Sequence, residues 1–139
     1  MNQRSILLVE DNADDVELTL RAMKSQGITE KILVARDGVE AIALLQAACS
    51  KLPSLILLDL NLPRMDGFEV LRRIRADERT HHLPVVILST STEERDVQSG
   101  YNLGANSYIH KPVDYGAFSD VVRQLGLYWM GLNVLPAEC

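Results

Sequence analysis

The chain has 139 residues, of which 47% are hydrophobic, 5% aromatic and 24% charged, a balance that suits one compact soluble domain and excludes a disordered or fibrous chain. Its formal net charge of -5 at pH 7 weighs against a nucleic-acid binder, because phosphate backbones demand clustered Lys and Arg. No apolar run approaches the ~20 residues needed to span a bilayer, and Ile6–Val9, broken by Glu10 and Asp11, is too short for a signal peptide; the expected location is the cytoplasm, with neither membrane nor nucleic acid as a partner.

Short apolar runs alternate with longer amphipathic ones five times, which predicts an α/β fold: a (βα)5 doubly wound parallel sheet with helices on both faces. The strand candidates are Ile6–Val9, Ile32–Val34, Leu55–Leu58, Val85–Leu88 and Ser107–Ile109. Their nearly continuous apolar character suits strands covered on both faces. The helical windows are 13–26, 38–50, 67–77, 92–103 and 115 to about 131. In the first, Val16, Leu20 and Met23 recur at i, i+4 and i+7 and form a core stripe, while Asp15, Glu17, Arg21 and Lys24 face outward.

Gly27 is the predicted stop of the first helix, and Asp66-Gly67 opens the third. Pro53, Pro63, Pro84, Pro112 and Pro136 all fall outside the helix interiors, where a residue without an N–H does least harm. The run Arg72-Arg73-Ile74-Arg75 reads as a solvated helix face. Cys49 and Cys139 are far apart and lack a CxxC partner, so neither a disulfide framework nor a zinc site is expected. One domain over residues 1–139 is expected, with residues 126–139 as an apolar C-terminal extension.

Ligands of an open parallel sheet bind outside the carboxyl ends of the strands. Those positions here hold Glu10 and Asp11, then Asp59, then Ser89, Thr90 and Ser91, then His110, Lys111 and Pro112. With strand order 2-1-3-4-5, as in flavodoxin-like folds, the first and third strands are neighbours and three carboxylates converge. Like charges at such range are costly unless a cation sits among them. Carboxylate and backbone carbonyl oxygens favour Mg²⁺, completed by a phosphate oxygen. Lys111 adds a second positive charge, and the Ser89 hydroxyl is a small donor for a phosphoryl oxygen. The parts describe a phosphoryl-transfer site with Asp59 as nucleophile.

The set Val9-Glu10-Asp11-Asn12, Leu58-Asp59-Leu60-Asn61-Leu62-Pro63 with Met65-Asp66-Gly67, Ser89, and Lys111-Pro112 resembles the receiver (CheY-like) domain of two-component response regulators, over about residues 4 to 125. The resemblance implies that Asp59 is the phosphoacceptor and that Asp11, Asp59 and the backbone carbonyl of Asn61 bind Mg²⁺, with Glu10 acting through water. It implies that Lys111 contacts the phosphoryl group and that the Lys111–Pro112 bond is cis. Ser89 and Tyr108 look like the family's hydroxyl and aromatic switch pair, a bistable element that local charge can bias. The family's hydroxyl is most often Thr; of Ser89, Thr90 and Ser91, Ser89 is preferred because it directly follows the apolar run.

Rival readings fit these residues less well. Glu10-Asp11 alone would suit a helix cap with dipole-favoured acids; Asp14 and Asp15 read as first-turn acids of the first helix, and Asp66 as a turn or cap residue before Gly67. An EF-hand beginning at Asp59 fails, because its fifth, sixth and twelfth positions are Pro63, Arg64 and Val70. His81, His82 and His110 lack partners at metal-ligand spacing. A flavodoxin needs a phosphate loop rich in N–H donors after the first strand, where this chain has Glu-Asp-Asn-Ala-Asp-Asp. A phosphohydrolase would want an acid two residues after Asp59, where Asn61 sits, so the chain is expected not to be an enzyme. The expected partners are a sensor histidine kinase and a downstream phosphotransfer protein. The apolar stretch Leu125–Leu132 with Val134 and Leu135 either packs on the core or forms a homodimer through the last helix and tail. That tail and Asn12–Val16 resemble the small response regulators paired with bacterial phytochromes.

Overall fold

The computed structural model describes residues 4–47 and 51–135. The expectations for Cys49, Pro136 and Cys139 lie outside the described residues. Five strands, β1 (Ser5–Val9), β2 (Lys31–Ala35), β3 (Leu55–Leu58), β4 (Val85–Ser89) and β5 (Ser107–His110), alternate with five helices. The helices are α1 (Ala13–Ser25), α2 (Gly38–Ala47), α3 (Gly67–Ala76), α4 (Glu94–Asn102) and α5 (Tyr115–Leu127), and a π-helical turn covers Tyr128–Leu132. The sheet is parallel throughout with order β2-β1-β3-β4-β5, the doubly wound arrangement expected.

Side chains of a strand alternate between faces, and the central strands divide accordingly into two cores. Leu7, Val9, Ile56, Leu58, Val85 and Ile87 pack with Ala41, Leu45, Val70, Leu71 and Ile74 of α2 and α3. Ile6, Leu8, Leu55, Leu57, Val86 and Leu88 pack with Val16, Met23, Phe118, Val122 and Leu125 of α1 and α5. β3 and β4 are buried along their whole length, which is why their sequences are apolar without alternation. β5, at the edge, is only half covered.

The helix ends follow from local chemistry. Asn12 Oδ1 accepts from Asp15 N (3.0 Å), Asp37 Oδ1 from Glu40 N (2.7 Å), Asp66 Oδ1 from Glu69 N (3.0 Å) and Asp114 Oδ2 from Ala117 N (2.9 Å), so four helices start on side-chain caps. α1 stops at Gly27, whose φ of 76° is the left-handed conformation glycine tolerates. α5 ends at Leu127 rather than near 131: the chain widens into a π-turn, with Asn133 N donating to Tyr128 O at 2.6 Å. Arg72 and Arg73 are exposed and pair with Glu69. Arg75 departs from the solvated-face expectation. It is half-buried and donates to the carbonyls of His81, Leu83 and Gly104 and to Asn106 Oδ1, all within 2.9 Å. No described helix is long and apolar enough to cross a membrane.

Candidate functional site

β1 runs between β2 and β3, and its pairing with both continues past the strand end. Asp59 N donates to Val9 O at 3.0 Å, and Glu10 N donates to Ala35 O at 2.9 Å. These bonds fix the residues that leave the sheet and place Glu10, Asp11 and Asp59 with carboxylate oxygens all within 4.8 Å of one another. Glu10 and Asp59 are buried at 4% and 6% exposure, and Asp11 opens to solvent. From the end of β5, Lys111 brings its ammonium to 2.6 Å from Glu10 Oε1 and 3.6 Å from Asp59 Oδ2. The four residues, from the loops that follow β1, β3 and β5, therefore meet in one pocket.

Burial pushes the Glu10 carboxyl up to about 7, against the hydrogen bond from Lys111. Burial likewise raises Asp59, although the charge of Lys111 opposes it. For Lys111, burial pulls the ammonium down, but its bond to Glu10 and the charges of Asp59 and Glu10 prevail and raise it. One cation thus serves a cluster of acids in a partly desolvated pocket. A donor set made only of carboxylate oxygens, under-neutralised and open on the Asp11 side, fits a hard divalent cation.

The β3–α3 loop is packed without clearance. A Cβ at Gly67 would lie 2.5 Å from the Asp59 carbonyl oxygen, and one at Gly38 would overlap the Met65 carbonyl. Only glycine admits such an approach. Arg64, with φ of 68°, turns this loop and pairs with Asp37 at 3.3 Å. Asn61 lies in it, its N–H facing Asp59 Oδ1 at 3.4 Å.

On the β4 side, Ser89 is fully buried, while Thr90 is exposed. Ser89 O accepts from Lys111 N at 2.7 Å, and Ser89 Oγ accepts from Ser91 N at 3.1 Å. Tyr108, half-buried, donates its hydroxyl to Ser91 O at 2.9 Å, and Ser91 Oγ donates to Asp96 Oδ2 at 2.7 Å. Ser91 thus links Ser89, Tyr108 and the first turn of α4.

Three outcomes differ from expectation. Every peptide bond among the described residues is trans, Lys111–Pro112 included, so the cis expectation is corrected. Trans is the lower-energy isomer even before proline, and in it Lys111 makes the backbone and side-chain bonds just given. Asp15 is no mere first-turn acid: its Oδ2 lies 3.1 Å from Lys111 Nζ. The link from Ser91 to Asp96 was also missed, because residue type alone does not say which way a loop hydroxyl turns. Asp66 is a cap, as expected.

The chain matches the response regulator receiver domain over residues 6–123. It is 40% identical over 134 residues to the probable methanogenesis regulatory protein FilR2 of Methanothrix harundinacea, covering 94% of this chain and 86% of that protein. It is 39% identical over 136 residues to the response regulator Rcp1 of Synechocystis, covering 95% and 92%. The crystal structure of the phosphorylated cyanobacterial phytochrome response regulator RcpA superposes with a TM-score of 0.92 at 38% identity, covering 97% of this chain and 99% of that one. The Mn²⁺-bound form of Rcp1 gives 0.91 at 38% identity, covering 96% and 99%. With its sheet order, its acid cluster and these matches in agreement, the chain belongs to the response regulator receiver domain family.

Proposed function

We propose that Asp59 accepts a phosphoryl group from the phosphohistidine of a sensor histidine kinase, and that the chain works as a switch rather than as an enzyme. A carboxylate oxygen of Asp59 forms the new P–O bond as the P–N bond of the donor breaks. The bonding electron pair leaves with the imidazole nitrogen, which then takes up a proton. Asp11, Asp59 and the backbone carbonyl of Asn61 would hold Mg²⁺, with Glu10 acting through water. The bound cation would neutralise charge on the phosphoryl oxygens. Lys111 supplies an N–H donor to one of those oxygens. Ser89 and Tyr108 act as the switch pair, the hydroxyl moving toward the phosphoryl group and the ring turning inward, so that the α4-β5-α5 surface changes shape.

The observation that carries this reading is the cluster of Glu10, Asp11 and Asp59 beside a buried Lys111. The likeness to Rcp1 and RcpA supports a phytochrome-type kinase as donor. Residues 1–139 form one receiver unit in this reading, with residues 126–139 as an apolar extension. Output passes to a homodimer partner through α5 and the tail, or to a downstream phosphotransfer protein. Leu127, Tyr128, Leu132 and Val134, all exposed, support the dimer.

Acetyl phosphate with Mg²⁺ provides the test. The wild type gains the mass of a single phosphoryl group and Asp59→Asn gains none; equal labelling of the two would refute the assignment. Sustained release of phosphate by the wild type would point to a hydrolase instead.

A further inference from the structure

Three carboxylates share the Lys111 ammonium, and the phosphoacceptor reading uses only two of them. Nζ lies 2.6 Å from Glu10 Oε1, 3.1 Å from Asp15 Oδ2 and 3.6 Å from Asp59 Oδ2. The first two are hydrogen bonds, and the third is a charge contact beyond hydrogen-bond reach. An ammonium carries three N–H donors, so one remains for the Asp59 side.

Asp15 stands outside the group of acids whose oxygens gather as cation donors. Its backbone is held at both ends: its N–H donates to the Asn12 cap at 3.0 Å, and its carbonyl accepts from Thr19 Oγ1 at 2.8 Å. Thr19 is itself buried. A first-turn acid that merely favours the helix dipole needs no side-chain target, and exposed Asp14 fills that role in the same turn. The Asp15 side chain is 24% exposed and turned onto Lys111. Lysine has a flexible four-carbon stem, and two acceptors anchored on different elements, Glu10 after β1 and Asp15 on α1, restrain its tip far more than one.

We propose that Asp15 is a positioning residue, which with Glu10 clamps the Lys111 ammonium so that its remaining N–H faces Asp59. A phosphoryl group on Asp59 carries oxygens outward from the carboxylate, and that N–H takes one up while the other two bonds persist. The inference rests on the phosphoacceptor reading and adds a residue to it.

The test uses the full chain, acetyl phosphate and Mg²⁺, with Asp15→Ala and Asp15→Asn each made alone and with Lys111→Met. Asp15→Ala is expected to slow labelling of Asp59 about tenfold, the scale of one charge-assisted hydrogen bond. Asp15→Asn recovers part of the rate, because its amide oxygen still accepts from the ammonium. With Lys111→Met in place, Asp15→Ala slows labelling no further. An equal slowing with and without Lys111 would make the role of Asp15 structural and overturn the proposal, as would no slowing at all. Acetylation of Lys111 by acetic anhydride in the unphosphorylated protein, read by peptide mass, is an independent measure. It rises severalfold in Asp15→Ala, and an unchanged value counts against the clamp. Mg²⁺ affinity measured by calorimetry falls far less in Asp15→Ala than in Asp11→Ala; equal losses would make Asp15 a ligand instead. Failure of the wild type to label, or labelling of Asp59→Asn, is a different result: it removes the phosphoacceptor reading and the basis of the clamp with it.

Discussion

Glu10 illustrates how a buried acid ties stability to pH. Its carboxyl, ordinarily at 4.5, is held at about 7 because burial disfavours the charge. A folded-state value above the unfolded one means that the folded protein binds the proton more tightly. The resulting stabilisation is fully present below 4.5 and is lost as the pH rises through about 7. Asp59, raised for the same reason, acts in the same direction. A divalent cation needs these groups ionised and offsets their repulsion. Thermal melts should therefore show Mg²⁺ raising Tm by several degrees at about pH 8 and by much less at about pH 5.5. An equal rise at both would mean that the cation binds elsewhere. Glu10, Asp11, Asp59 and Lys111 were visible in the sequence because each lies within two residues of the end of an apolar run. The contact of Asp15 with Lys111 was not, because the helix pattern places Asp15 among the outward-facing residues and carries no mark of the loop that meets it.

Among the elements, the strands were legible nearly residue for residue, since buried parallel strands announce themselves as unbroken apolar runs. The last helix was not: its sequence stays apolar and helix-compatible through Leu132, and only the backbone reveals the π-turn from Tyr128. Arg75 was hidden by its neighbours, because Arg72 and Arg73 do face water and a charge run carries no mark of the one member that turns inward. Its guanidinium ties the end of α3 to the loops before β4 and β5, far from the acid cluster. Arg75→Met should cost about 2 kcal/mol, the scale of losing hydrogen bonds from a charged group that is half-buried, as read by urea denaturation. Labelling of Asp59 by acetyl phosphate should persist in that variant. A variant as stable as the wild type would show that the hydrogen bonds of Arg75 contribute nothing.

For the molecule as a whole, the (βα)5 sheet and its order followed from the number and spacing of apolar runs, whereas any assembly depends on surfaces that a single sequence describes only by composition. In the proposed dimer, Leu132→Glu places a charge on a side chain that is 78% exposed. Light scattering should then show a shift from dimer to monomer while the stability of the fold changes little. A wild-type chain that is monomeric at every concentration would end that proposal. The glycines at 38 and 67 bear on how such a molecule could signal. They seat the loop after Asp59 hard against α2 and α3, with no room for even a methyl group, so that flank is rigid. The opposite flank, by contrast, is joined through hydroxyls and a phenol that can exchange partners. In the proposed switch, a disturbance at the acid pocket would leave through β4 toward α4 and β5, and the direction of the message would be set by where the backbone refuses to give.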